Sequence, residues 1–152
     1  MLGNSGLKER AGLYWARTST DRTLELERLK RIVEDMHADV SDQYNRVLAY
    51  SYRLPQDYNQ KLRNRIDAYG RTVSAFHKLK TLQTDPAIEK MRSMYCKLPG
   101  GVFRTNEKFI ENINRAKSVE TDNYLLVKKE GTKAYKYIHD ELERIKKGKK
   151  GR

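Results

Sequence analysis

The strongest constraint on the fold is a stripe of apolar residues that recurs with helical spacing in the first third of the chain. From Leu26 the stripe advances by three, four, three, four and then seven residues to Val47. Such steps place side chains on one face of an α-helix and form a heptad seam. We therefore predict a long helix over residues 21–52. If the chain is a protein-binding scaffold, this seam pairs with a helix of a partner. The seam consists of Leu26, Leu29, Val33, Met36, Val40 and Val47.

A second amphipathic segment follows a break at Leu54-Pro55, because the residue before proline avoids the α-helical region. Over residues 56–82 apolar side chains again recur at steps of three and four: Tyr58, Leu62, Ile66, Tyr69, Val73, Phe76 and Leu79. Two long amphipathic helices joined by a short turn predict an antiparallel αα-hairpin.

The second half of the chain has shorter periodic segments, which predict three shorter helices over residues 85–145. Asp85-Pro86 supplies a cap and a first helical residue, and Thr105 supplies the next cap. Thr121 or Asp122 starts the last helical region, which Gly131 divides. No stretch shows the alternation of apolar and polar residues that a β-strand requires, so a strand is expected at most over residues 101–104. The predicted fold class is therefore all-α.

These elements divide the chain into three parts. Residues 1–19 form a basic N-terminal arm. Residues 20–145 form the helical domain, with the hairpin over 20–83 and the shorter helices after it. Residues 146–152 form a cationic tail, and glycines at 148 and 151 predict that this tail is extended rather than helical.

The charge of the chain indicates an anionic partner. Its 32 Lys and Arg against 20 Asp and Glu give a net charge of +12, and hydrophobic residues make up 38%, which predicts a thin core. The last nine residues hold six bases and no acid. Lysines of this kind suit phosphate backbones, where each acts as a point charge. An acidic protein, a membrane surface, and a solubilising or nuclear-targeting tail remain as alternatives.

Arginine and tyrosine alternate around the predicted hairpin turn. Guanidinium groups bind phosphates, and tyrosine rings stack on exposed bases or receive cations. Tyr44 and Tyr58 also lie near the helix stripes, where a role in the core is the alternative. The candidate nucleic-acid-binding residues are Arg10, Arg17, Arg46, Arg53, Arg63, Arg65, Lys146, Lys147, Lys149, Lys150 and Arg152.

The sequence contains no pattern that indicates catalysis, a metal site or a cofactor site. His37, His77 and His139 are isolated from one another in sequence, and Cys96 lies in an apolar patch that predicts a buried thiol. Gly100-Gly101 lacks the Gly-Lys-Ser/Thr ending of a phosphate-binding loop. We therefore expect no enzyme activity, no metal, no cofactor and no small-molecule substrate.

The same features bear on the compartment. A single cysteine fits a reducing interior such as the cytoplasm or a virion, and no apolar run is long enough to span a bilayer. Residues 1–20 also resemble a mitochondrial targeting sequence, which leaves the mitochondrial matrix as an alternative.

Two functional hypotheses follow. The first is a non-enzymatic structural subunit of a large nucleoprotein assembly, such as a ribosome-like particle or a virion, that contacts RNA or DNA and other protein subunits. The second is a helical scaffold that binds an acidic protein surface or a coiled-coil helix in a virion or an organellar complex.

Overall fold

All the regular secondary structure in the described part of the protein is helical. This computed structural model describes residues 19–79, 85–96 and 103–150, and no strand occurs among them. Its elements are α1 (Ser19–Ser51), α2 (Gln60–Leu79), α3 (Asp85–Met91), a π-helical turn (Arg92–Cys96) and α4 (Phe103–Lys150). The all-α prediction is confirmed for these residues. No helix in these ranges combines the length and the apolar character that crossing a membrane requires.

The chain forms two compact units. Unit 1 comprises Met1–Asp35 and Leu79–Thr121, and unit 2 comprises Met36–Lys78 and Asp122–Arg152. Helices α1 and α4 each supply residues to both units. Most of the predicted N-terminal arm lies outside the described residues, of which Ser19 is the first.

The core of unit 1 is built around the first part of α1. Buried side chains come from α1, α3, the π-helical turn and α4: Leu26, Leu29, Val33, Ile88, Met91, Tyr95, Cys96 and Phe109. The Tyr95 ring meets the Phe109 ring edge-on at 5.7 Å. Asn112 Nδ2 donates a hydrogen bond to Tyr95 Oη at 2.9 Å, so the phenol is buried with a partner. The Cys96 thiol is buried, as predicted.

The core of unit 2 is lined by the second part of α1, by α2 and by α4. Its buried hydrophobic residues are Val40, Val47, Leu54, Leu62, Ile66, Tyr69, Val73, Phe76, Val127, Ala134 and Ile138. His37 stacks on Phe76 at 4.0 Å, and Tyr44 meets Tyr69 at 5.6 Å. The two contacts join later residues of α1 to earlier residues of α2, so these helices pack antiparallel within unit 2.

Helix α1 agrees closely with the predicted span, whereas α2 begins four residues later than predicted. The side chain of Asn59 accepts a hydrogen bond from the backbone N–H of Lys61 at 2.8 Å and caps the helix. Upstream of this cap the backbone N–H of Tyr58 donates to the carbonyl of Pro55 at 3.1 Å, which makes a turn. The cap, rather than the proline, sets the start of α2. The predicted end at residue 82 lies outside the described residues.

The prediction of separate short helices over residues 105–145 is wrong, because a single helix, α4, covers this range. It runs without interruption for 48 residues. Its buried positions lie on one face of the helix, because the steps between them (11, 7, 4, 3 and 4 residues) are combinations of the three- and four-residue spacings of an α-helix. These positions are Phe109, Glu120, Val127, Gly131, Ala134 and Ile138. Two of these buried positions, Glu120 and Gly131, are not hydrophobic. The apolar pattern of the sequence is interrupted there, so it did not indicate one continuous helix.

The C-terminal segment also differs from the prediction of an extended tail. Helix α4 continues through Gly148 to Lys150, so residues 146–150 are helical. A single glycine costs a helix only about 1 kcal/mol relative to alanine, which a long helix tolerates.

The predicted partner-helix seam packs inside the chain. Five of its six residues are at most 3% exposed, and only Met36 is half-buried. At this point the stripe shifts to His37, because an α-helix of 3.6 residues per turn drifts away from a strict heptad repeat. The chain's own helices therefore cover the surface that the sequence assigned to a partner.

Candidate nucleic-acid interface

The turn between α1 and α2 places two neighbouring side chains in solvent. Backbone N–H groups of Arg53 and Leu54 donate to the carbonyls of Tyr50 and Ser51, at 3.2 and 3.0 Å. Leu54 is only 8% exposed and anchors the turn in the core of unit 2. Tyr52 and Arg53 are exposed, and the Tyr52 side chain is 81% accessible to solvent.

Beside this turn lies a group of side chains that we call the aromatic–arginine cluster: Tyr50, Arg53, Tyr135 and His139. The rings of Tyr50 and Tyr135 stack with centroids 4.5 Å apart. The Arg53 guanidinium lies 5.3 Å from the centroid of Tyr50, and Tyr50 Oη is 3.3 Å from His139 Nδ1. Burial, and then the neighbouring Tyr135, raise the pKa of Tyr50 above its ordinary value of 10.0. The cluster thus combines stacked aromatic rings with one cation, Arg53.

Two other candidate arginines also lie against tyrosine rings. The guanidinium of Arg65 is 3.9 Å from the centroid of Tyr137, and both residues are exposed. Arg63 lies 4.7 Å from Tyr58 and donates through Nη2 to the carbonyl of Gln56 at 2.8 Å. Arg63 therefore holds the turn together, whereas Arg65 keeps its charge at the surface.

The structure places most of the described candidate cations in solvent. Arg46, Arg53, Arg65, Lys146 and Lys147 are exposed, whereas Arg63 is half-buried. Lys149 and Lys150 belong to the last turn of α4. Arg10, Arg17 and Arg152 lie outside the described residues.

Sequence reasoning missed a set of lysines on α4. Lys129, Lys133 and Lys136 are exposed and follow one another at steps of four and three. This spacing puts them on one face of the helix, a signal that becomes readable once α4 is recognised as continuous. Together with the predicted cations they contribute to unit 2, whose sequence holds 17 basic and 9 acidic residues, a net of +8. Lys133 Nζ lies 3.7 Å from Glu130 Oε1, an exposed pair that solvent screens.

Some cations of unit 2 are already engaged by carboxylates. Lys128 Nζ lies 2.8 Å from Asp39 Oδ2, which also accepts a hydrogen bond from Tyr124 Oη at 2.6 Å. These hydrogen bonds, first from Lys128 and then from Tyr124, lower the pKa of the Asp39 carboxyl group. On α4, Arg144 likewise pairs with Glu141 and lowers its pKa. Lys128 and Arg144 are accordingly weaker candidates for phosphate contact.

The structure brings together two histidines that are 40 residues apart in sequence. His37 Nδ1 is 3.1 Å from His77 Nδ1, and Ser41 Oγ is 3.0 Å from His77 Nε2. His37 is only 3% exposed. Across the described ranges, no group of three or more His, Cys, Asp or Glu side chains is placed to hold a metal ion. The pair belongs to the packing between α1 and α2 within unit 2.

Comparison with known proteins adds no relative: no family model, no curated protein and no solved structure matches the chain.

Proposed function

We propose that this protein is a non-enzymatic structural subunit of a large nucleoprotein assembly, in which it binds the phosphate backbone of RNA or DNA electrostatically. The observation that carries this proposal is the set of exposed cations in unit 2, among them Arg46, Arg53 and Lys129, in a unit whose sequence has a net charge of +8. Each cation that neutralises a phosphate releases a condensed counterion, so affinity depends steeply on salt and little on base sequence.

The proposal is tested by measuring the affinity for labelled RNA and DNA over a range of salt concentrations. Raising salt from about 50 to about 500 mM should weaken binding by orders of magnitude. A triple variant, Lys129→Glu, Lys133→Glu and Lys136→Glu, should bind more weakly and reduce the slope of log affinity against log salt. An affinity that does not change with salt would overturn the electrostatic mechanism.

Unit 1 offers a matched control for this variant. Arg28, Lys30 and Arg31 lie on α1 and are exposed, so reversing all three changes the net charge of the chain by the same amount. The control should keep most of the affinity and of the salt slope. Equal losses in both triple variants would mean that net charge, rather than the surface of unit 2, governs binding.

The second candidate is a helical scaffold that binds an acidic protein partner, and a cavity in unit 1 favours it. This cavity of about 390 Å³ has Met94 and Val119 among its lining residues, 49% and 40% exposed. Its charged lining residues are Lys90, Arg115, which also pairs with Glu111, and the buried Glu120. Apolar groups beside cations suit an acidic amphipathic segment.

The two candidates differ in how the native assembly responds to nuclease. A large species that nuclease disperses supports the nucleoprotein subunit. A large species that resists nuclease, but is lost in the variant Met94→Glu with Val119→Glu, supports the scaffold. Light scattering on the purified assembly measures both outcomes.

A further inference from the structure

The exposure of Tyr52 is unexpected for a tyrosine within an ordered turn. Its ring is 81% exposed, although its neighbour Leu54 reaches the core of unit 2. A ring left in water contributes little to the stability of the fold, since its apolar surface is not buried. The position therefore offers an aromatic face to a ligand.

The aromatic–arginine cluster lies beside the same turn and adds further ring surface and charge. Tyr135 stacks on Tyr50 yet stays 48% exposed. Arg53 connects the two features, because it follows Tyr52 in the chain and its guanidinium lies 5.3 Å from Tyr50. Rings with open faces and cations that bind phosphate thus occur within one stretch of surface of unit 2.

We infer that Tyr52 and Tyr135 are stacking sites for unpaired bases, so that the ligand is single-stranded nucleic acid. This inference rests on the proposed function and narrows it. In a duplex each base face is covered by its neighbours, and a protein meets mainly the backbone and the base edges. Aromatic rings stack on bases only where these are unpaired, and this stacking tolerates any base sequence.

Charge and aromatic rings have separate tasks in this arrangement. Arg53 and Arg65 hold the phosphates of the strand, which sets the dependence on salt. Removing a ring should therefore lower affinity without changing the salt slope, whereas removing an arginine should change both.

The experiment compares a single strand with a duplex of the same length, each carrying the fluorescent base 2-aminopurine, whose emission is quenched when it stacks. The protein should bind the single strand at least about tenfold more tightly and quench its emission. Tyr52→Ala should weaken single-strand binding by roughly 5- to 150-fold and relieve the quenching, whereas Tyr52→Phe should retain both. Tyr135→Ala should act in the same direction.

Leu126→Ala is the control, because Leu126 is also in unit 2 and is 61% exposed but is not aromatic. It should bind as the parent protein does. Circular dichroism of each variant checks that the helices are intact.

The outcomes separate this inference from the proposed function. Equal binding of single strand and duplex, with Tyr52→Ala indistinguishable from Leu126→Ala, would overturn base stacking and leave the electrostatic proposal standing. Failure to bind either form at low salt would overturn both and would favour a protein partner on these rings.

Discussion

Gly131 and Tyr69 pack so closely that a side chain on residue 131 fits only if the ends of Tyr69 and Gln43 move. A β carbon on residue 131 would lie 2.6 Å from Tyr69 Oη, and it would also overlap the carboxamide of Gln43. Tyr69 Oη donates to Gln43 Oε1 at 3.2 Å, and Gln43 Nε2 donates to the carbonyl of Lys128 at 3.3 Å. The glycine thus allows α4 to receive a hydrogen-bonded group from α1 and α2 within unit 2.

Gly131→Ala should therefore destabilise the protein, although alanine is the better helix former. Overpacking of this kind typically costs about 1–3 kcal/mol, and a displaced Gln43 also loses its hydrogen bonds to Tyr69 and Lys128. Together these losses exceed the roughly 1 kcal/mol that alanine contributes to a helix. Gly148→Ala is the matched control, because nothing lies within 4 Å of its added β carbon. In urea unfolding, the free energy of unfolding should be higher for the control than for the parent protein, and lower for Gly131→Ala. The close packing would be contradicted if both variants were stabilised equally.

A second prediction concerns alkaline pH. Burial raises the pKa of Tyr69 from 10.0 to about 12. Between these values the unfolded chain releases the phenol proton while the folded protein retains it, so the free energy of unfolding falls as pH rises through this window. Titration of phenolate absorbance should show a component that ionises near pH 12, and this component should be absent in Tyr69→Phe. A titration curve that the substitution leaves unchanged would count against this assignment.

A third prediction concerns acidic pH. The pKa of Asp39 is held below its ordinary value of 3.8, so the interaction stabilises the fold above that pH and is lost as pH falls through the lower, folded value. The Asp39 side chain is 41% exposed, and solvent screening limits the effect to under about 1 kcal/mol. Asp39→Asn should be less stable than the parent at neutral pH, and the difference should vanish at low pH. A difference in urea midpoint that is constant over this range would contradict the prediction.

A fourth prediction separates the structural arginine of the turn from its neighbours. Arg63→Ala removes the hydrogen bond to Gln56 and the contact with Tyr58, and should lower the free energy of unfolding by about 1 kcal/mol. Lys61→Ala, an exposed position on the same helix, should leave stability within about 0.5 kcal/mol of the parent. Thermal unfolding measures both, and equal stability of the two variants would show that Arg63 does not hold the turn.

The sequence by itself determined the helical class and the faces of the first two helices. Leu26, Leu29 and Val33 in α1, and Leu62 and Ile66 in α2, are buried as their spacing predicts. Periodic apolar residues specify a helix face because they must leave water together, whatever element covers them.

Only the tertiary structure decided where α4 runs and what covers the α1 seam. Glu120 and Gly131 lie on the buried stripe of α4, and neither carries an apolar signal. Gly131 is required because Gln43 and Tyr69 occupy the space beside it, a relationship between residues far apart in the chain. The lysine face of α4 depends on the helix being continuous, and the stack of Tyr50 on Tyr135 depends on the packing of α1 against α4 within unit 2. Local spacing in the sequence shows neither.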